Sequence, residues 1–276
     1  MKDYLQNNFD SKKLVDVFDE LPLWSAPFGL KLLDYINYKP NISALDIGFG
    51  TGFPLTEIAM RLGKSCTVYG IDPWVEVVER TKTKLDLYHI TNVKLLNGVA
   101  EELPFDSDAI DLIVSNNGIN NVNDLKQTFS ECSRVMKKEG QFVFTMNMPE
   151  TMFEFYDALE VVLSEMGLYR EVDAMRSHIK EKRPDTSLIK SLLYENGFLV
   201  KDQVFDQFNY RFVDGTTMLN HYFIRFAFMD SWKKLIPEDK LEQVFDKVET
   251  NLNCQANLLG GIKLSIPYLL INAVKE

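Results

Sequence analysis

The residues with the clearest chemical potential lie together between Ile42 and Pro54, in the run Ile-Ser-Ala-Leu-Asp-Ile-Gly-Phe-Gly-Thr-Gly-Phe-Pro. Gly48, Gly50 and Gly52 alternate with Phe49 and Thr51 after an apolar stretch, and Asp46 stands just before them. Glycine has no Cβ, so such a turn can adopt positive φ and let a ligand come close to the backbone. A dinucleotide site uses Gly-x-Gly-x-x-Gly to lead a pyrophosphate onto a helix N-terminus. Here the spacing is Gly-x-Gly-x-Gly and a carboxylate precedes it. That acid repels an anion and favours an ammonium or sulfonium ligand.

Further polar or glycine-rich points follow at regular intervals. They are Asp72, the run Asn97-Gly98-Val99-Ala100-Glu101, and Ser115-Asn116-Asn117-Gly118. Each ends an apolar run that reads as a strand: 42–47, 67–71, 93–96 and 110–115, with a fifth at 141–146. Between them are helical periodicities: Leu55, Ile58, Ala59 and Leu62; Val75, Val78 and Leu85; Leu125, Phe129, Cys132 and Val135. Lys137, Lys138 and Gly140 read as the C-terminal end of the last of these helices. Strict alternation of strand and helix predicts a parallel sheet with helices on both faces. Ligands in such sheets bind beyond the C-terminal ends of the strands, where these polar points fall.

Outside this region the pattern changes. Residues 11–38 hold two amphipathic helices, one with Leu14, Val15, Phe18 and Leu21, the other with Phe28, Leu32, Leu33 and Ile36. Pro22 and Pro27 punctuate the link, and Trp24 between them either packs on the core or folds over a ligand. Residues 150–182 read as helical, 187–196 as a helix stopped by Gly197, and 200–212 as a long strand. The run 217–229 is almost wholly apolar, so as one helix it would be buried nearly all round. An amphipathic helix over 237–252 and a strand over 264–273 complete the chain.

Composition narrows the partners. A formal charge of −10 across 276 residues disfavours nucleic acid, whose phosphates call for a basic patch. Cys66, Cys132 and Cys254 are scattered and form neither a disulfide framework nor a metal-ligand spacing. No apolar stretch reaches membrane-span length, and the first residues lack a signal core. These features predict a cytoplasmic protein acting on a small molecule, with no metal; the oligomeric state is left open.

Asp46-Ile-Gly-Phe-Gly-Thr-Gly, Asp72, Gly98-Val-Ala-Glu-Glu-Leu-Pro-Phe and Arg134-Val-Met-Lys-Lys-Glu-Gly together resemble the class I S-adenosylmethionine-dependent methyltransferases. The resemblance is closest to the type 11 group, which includes quinone-biosynthesis C-methyltransferases. It covers residues 40–147 well and the closing strands more loosely. It implies a Rossmann-like α/β fold, with a seven-stranded, mostly parallel sheet, an antiparallel last strand, helices on both faces and a helical cap. The corresponding segments are an N-terminal helical segment (1–40), an α/β core (41–148), a helical cap insertion (149–184), a core helix and sixth strand (185–212), a helical lid insertion (213–262) and the last strand (263–276).

The resemblance also implies S-adenosyl-L-methionine as cofactor and S-adenosyl-L-homocysteine as product. The turn Gly48, Phe49, Gly50 and Gly52 would pass under the methionine part, with Asp46 near its ammonium. Asp72 would accept from both ribose hydroxyls, and Pro73 and Trp74 would flank the adenine. Many relatives carry an Asp where this chain has Val99. Here backbone at Val99 and Ala100, with Glu101, would serve the ring edge. Asn116 and Asn117 would face the methionine and the methyl. Asp72 has a simpler alternative as a helix N-cap.

If the acceptor needs a base, His221 is the candidate, with Arg225 one turn on. The same two residues could instead form a hydrogen-bonded structural pair. Aromatic residues across 205–228 suggest an apolar or planar acceptor, although core packing explains many of them. No Asn/Asp-Pro-Pro-Tyr motif follows the fourth strand, which disfavours nucleic-acid amines, and the cysteines do not group as an arsenite site requires. Two alternatives remain, a non-catalytic S-adenosylmethionine-binding module and a nicotinamide-dependent oxidoreductase.

Overall fold

The computed structural model describes Lys2–Gln6, Val15 and Trp24–Glu276. Of the first expected helix only Val15 falls within these residues; it is helical and buried. Leu14, Phe18, Leu21 and Pro22 lie outside the described residues. Seven strands form one sheet: β1 (Ser43–Ile47), β2 (Thr67–Asp72), β3 (Val93–Asn97), β4 (Ile110–Asn116), β5 (Met136–Asn147), β6 (Phe198–Phe212) and β7 (Ile262–Lys275). Their order is β3-β2-β1-β4-β5-β7-β6. The strands from β3 to β5 in that order run parallel, and β7 runs antiparallel to β5. The fold is therefore Rossmann-like, and the strand order reverses at β1, where such sheets open a ligand crevice.

The chain divides into two compact units. The α/β unit comprises Ser11–Asn147, Pro184–Asp206 and Tyr268–Glu276; the helical unit comprises Met1–Asp10, Met148–Arg183 and Gln207–Pro267. Side-chain alternation along β5 shows how the first unit is layered. Val143 joins Leu112 and Val114 of β4 in a cluster with Leu32 and Leu33 of α1 (Ser25–Asp34), with Leu55, Ile58, Ala59 and Leu62 of α2 (Leu55–Leu62), and with Val77 of α3 (Val75–Leu87). Phe142 and Phe144 point the other way and meet Phe129 of α4 (Leu125–Val135), at ring-centroid distances of 5.9 and 5.7 Å. Another helix, α7 (Thr186–Glu195), starts from an Asp185 cap and, as its sequence predicted, stops before Gly197, which takes φ 76°.

Three local expectations need correction. Val75 is 61% exposed and Val77, Thr81 and Leu85 take the buried positions, because the helix begins at Val75 with its first side chain turned outward. Pro27 does not punctuate a link. It occupies the first turn of α1, where its missing N–H costs nothing. Lys137, Lys138 and Gly140 do not end a helix either. Met136 already pairs with Ile110, and a register shift follows before Gln141 pairs with Leu112. Glu139 takes φ 62° within that irregularity, and Lys137 Nζ donates to both Asp111 oxygens at 2.9 and 2.8 Å.

The helical unit contains α5 (Phe153–Glu165), α6 (Tyr169–Lys182), α8 (Gly215–Asn220) and α9 (Leu241–Leu259). Glu249 of α9 ties it together. Its Oε2 accepts from Tyr4 Oη and Lys2 Nζ at 2.8 and 2.9 Å, and its Oε1 accepts from Thr216 Oγ1 at 2.6 Å. The apolar run 217–229 is not one helix. Asp214 caps α8 through Thr217 N, and His221 then takes an extended backbone (φ −60°, ψ 129°). The chain resumes as an α-turn at Tyr222–Ile224 and a π-turn at Arg225–Met229. The break lets Phe223, Ile224 and Met229 face inward while Tyr222 is left 39% exposed. No helix among the described residues is long and apolar enough to cross a membrane.

Candidate functional site

Within the α/β unit, the loops after β1, β2 and β4 bring most of the expected site residues together. Gly48, Gly50 and Gly52 all take positive φ, at 75°, 53° and 104°. A Cβ on Gly48 would stand 2.9 Å from the Gly118 Cα, so this glycine lets the loops after β1 and β4 close on each other. A Cβ on Gly50 would meet nothing within 4 Å, so there the loop backbone faces open space. Phe49 between them is fully buried over Gly70 of β2, and it can offer a ligand only its backbone.

The glycine loop is fixed from several sides. Gly48 N donates to Ile71 O at 2.8 Å, and Gly50 N donates to Asp72 Oδ2 at 2.9 Å. From α3, Thr81 Oγ1 donates to Gly50 O at 3.2 Å and Lys84 Nζ to Thr51 O at 2.6 Å. Sequence reasoning missed Thr81 and Lys84, because a polar helix face reads as solvated when its neighbour is unknown. Asp72 Oδ1 accepts from Trp74 N at 2.9 Å, while the cap position of α3 belongs to Trp74, so Asp72 is not the N-cap. Each carboxylate oxygen has a second lone pair left for a ligand. Asn97 Nδ2 pins the same turn by donating to Asp72 O and Pro73 O at 3.0 and 3.1 Å.

Asp46 decides the electrostatics. Its side chain is fully buried, and among the described residues neither carboxylate oxygen has a hydrogen-bond partner. Burial, reinforced by the nearby Asp72 charge, pushes its pKa up to about 8. Burial also raises the Asp72 pKa, opposed by the N–H groups of Trp74 and Gly50. A buried carboxylate without a partner costs several kcal/mol if ionised. It must hold a proton or meet a cation, and a cationic ligand at the glycine loop would remove that cost.

After β4, Asn116 Nδ2 donates to Ser25 O at 3.0 Å, and its Oδ1 accepts from Thr145 Oγ1 at 3.2 Å. Asn117 takes φ 62° and donates its N–H to the same Thr145 oxygen at 3.0 Å, while its buried Oδ1 has no partner among the described residues. Thr145 was hidden in an apolar strand. Val99 is 38% exposed and Ala100 buried. Glu101 Oε1 accepts from Asn123 N and Asp124 N at 2.6 and 3.1 Å. Arg134 holds the loop beyond it, donating to Leu103 O and Phe105 O at 2.9 and 2.7 Å while paired with Glu131. The third and fourth sequence motifs thus meet as one clamp. Trp24 meets Phe28 edge-on at 5.7 Å, which places it in packing with α1.

A methyltransferase domain model matches residues 45–144. These are the residues that build the loops just described. Residues 45–144 therefore form a methyltransferase domain of the type 11 group. It is 30% identical over 154 residues to demethylmenaquinone methyltransferase of Bacillus subtilis (strain 168), covering 56% of this chain and 64% of that protein. The chain therefore spans a little under two thirds of that relative's length. A putative methyltransferase from Bacillus halodurans superposes with a TM-score of 0.59 at 18% identity, over 90% of this chain and 98% of the other. Geranyl diphosphate C-methyltransferase from Streptomyces coelicolor A3(2), solved with Mg2+, geranyl diphosphate and S-adenosyl-L-homocysteine, gives 0.56 at 17% identity, over 100% and 88%.

His221 belongs to the helical unit. Its Nδ1 is buried without a partner among the described residues, and its ring lies 5.3 Å from Phe212 and 6.3 Å from Tyr210. Burial lowers its pKa, so the ring is neutral near pH 7. The expected His221–Arg225 side-chain pair does not form on the shared helix face, because the backbone breaks there. Arg225 instead directs its guanidinium to Asp3 O and Gln6 O at 3.1 and 3.0 Å.

Proposed function

We propose that the protein transfers the methyl group of S-adenosyl-L-methionine to a small organic acceptor with an apolar or aromatic body. The observation that carries the reading is Asp46, a buried carboxylate without a partner among the described residues, beside a glycine loop whose Gly50 faces open space. The bound cofactor supplies a methyl group on a positively charged sulfur, ready for in-line displacement. Asp46 receives the ammonium, and the backbone from Gly48 to Gly52 lies under the methionine part. Asp72 accepts from the ribose hydroxyls with the lone pairs that Gly50 and Trp74 leave free. Pro73 and Trp74 flank the adenine. Val99 carries no polar side chain, so the ring edge falls to backbone at Val99 and Ala100 and to Glu101. Asn116 and Asn117, with Asn117 Oδ1 unused, border the methyl end. The contribution of these residues is positioning and exclusion of water, which supply much of the catalysis of such a displacement.

Support for the acceptor class comes from two directions. The relatives' names carry demethylmenaquinone and geranyl diphosphate, a quinone and an isoprenoid. The helical unit holds an aromatic cluster of Tyr210, Phe212, Phe223, Phe228 and Trp232. Where the acceptor must lose a proton, His221 is the base, neutral near pH 7 and with no hydrogen-bond partner on Nδ1 among the described residues. Replacing it with Gln would then lower transfer while leaving cofactor affinity unchanged; unchanged transfer would remove it from that role. For the whole function, methyl-labelled cofactor is incubated with the protein and a cell metabolite extract. The reading expects label in a small product that partitions into organic solvent. Label confined to polar products contradicts the acceptor class. Binding of S-adenosyl-L-homocysteine without any transfer would instead favour a non-catalytic binding module.

A further inference from the structure

The helical unit contains a cavity of ≈ 420 Å³ that is lined by none of the residues proposed to hold the cofactor and not by His221. Its volume falls within the roughly 300–1,000 Å³ of small-molecule sites. Its apolar wall is Phe212 at the end of β6, Leu252 and Leu259 on one face of α9, and Ile262 at the start of β7; Gln255 of α9 also lines it, its Nε2 donating to Asn251 Oδ1 at 2.7 Å. A double glycine ends α9 at the cavity's edge. Gly260 takes φ 78° and closes the helix with its N–H on Ala256 O. Gly261 takes φ 137°, and a Cβ there would stand 2.9 Å from Phe212 O, so only glycine lets β7 start this close to the end of β6.

Two cations border this apolar space, Arg211 and Lys263. Both are exposed, and among the described residues neither forms an ion pair or a hydrogen bond through its side chain. The carboxylate in the lining, Glu154, is committed elsewhere, accepting from Ser265 N at 2.9 Å and from Ser265 Oγ at 2.6 Å. Leu259 is 79% exposed and extends the apolar wall outward past the charged rim.

We propose that this cavity binds a monomeric anionic amphiphile, with its carboxylate or phosphate head on Arg211 and Lys263 and its hydrocarbon tail along Phe212, Leu252, Leu259 and Ile262. Arg211 offers a fork of N–H donors that fits two oxygens of such a head, and Lys263 adds a mobile point charge. The tail removes the exposed Leu259 side chain from water. Because the pocket lies wholly in the helical unit, the proposal does not depend on the reaction assigned to the α/β unit.

The test titrates the full chain with decanoate by calorimetry, alongside decanol, acetate and vesicles of anionic phospholipid. Saturable one-to-one binding of decanoate is expected, about tenfold or more tighter than decanol or acetate. Arg211→Gln with Lys263→Gln should weaken decanoate by about tenfold and leave decanol unchanged. Leu259→Ser should weaken both ligands, and thermal melting checks that all variants fold. Equal affinity for decanoate and decanol, decanoate binding unaltered in the Arg211/Lys263 double variant, binding to vesicles alone, or no binding of decanoate would each overturn the proposal.

Discussion

The two ends of the same central strands treat their polar side chains in opposite ways. At the N-terminal ends, Asp111 of β4 accepts from Ser43 N at 2.9 Å and from Lys137 Nζ through both oxygens. Gln141 of β5 is also saturated: its Oε1 accepts from Asn37 N at 2.9 Å, and its Nε2 donates to Tyr35 O and Asn272 Oδ1 at 2.7 and 2.9 Å. At the C-terminal ends, Asp46 has both oxygens buried without a partner among the described residues, and so has Asn117 its Oδ1. One end is finished by the fold alone. The other is left incomplete in a way that a cationic ligand would complete, at the sacrifice of some stability. Side chains of the same type, on adjacent strands, thus differ: one is satisfied within the sheet, and the other has no partner among the described residues.

The largest effect that would break this contrast is at Asp46. Asp46→Asn should weaken S-adenosylmethionine by about 30- to 100-fold, the loss of ~2–3 kcal/mol of charge-assisted contact. The same change should raise or preserve the melting temperature, because it removes an uncompensated buried acid. A lowered melting temperature with unchanged affinity, read by calorimetry and thermal denaturation, would reverse the assignment. Gly50→Ala comes next. The added methyl enters the open face of the loop, so affinity should fall about tenfold, while the positive φ costs about 1–2 kcal/mol of stability.

At the opposite end, Asp111→Asn should leave cofactor affinity unchanged and lower unfolding free energy by about 1 kcal/mol in urea titrations, since the pair is partly solvent-screened. A further test is a pH dependence of the ligand-free protein. The Asp46 pKa rises from an ordinary unfolded value near 3.8 to about 8 in the fold. Between those limits the native state holds a proton that the unfolded state has lost, so this group's contribution to stability declines as pH rises through that window. Stability of the wild type relative to Asp46→Asn should therefore fall from pH 5 to pH 8 and level off above. A flat difference would mean that Asp46 is already ionised and paired.

Much of the α/β unit was legible because its signals are local. The strands at 43–47, 67–72 and 110–116 follow apolar runs, and the glycine loop follows residue types that few other turns require. The errors arose where tertiary partners overrode local preference. Lys137 and Gly140 fit a helix end, but Asp111 and the pairing of Met136 with Ile110 drew the segment into β5. The run 217–229 fits one buried helix by composition, but no pattern marks the break at His221 or the π-turn after it. Around the site, Asp46 and the glycines were visible in sequence. Thr81, Lys84, Thr145 and the Arg134–Glu131 clamp were not, because their partners lie about 20 to 40 residues away in the chain.

The central claim is that Asp46 is left without a protein partner so that it can take the cofactor's ammonium. Calorimetry with S-adenosylhomocysteine and an analogue lacking its α-amino group, on wild type and Asp46→Asn, tests it as a double-mutant cycle. The account predicts that removing the amino group weakens binding to wild type by about tenfold or more and changes the variant's affinity little. Equal losses in both proteins would contradict it.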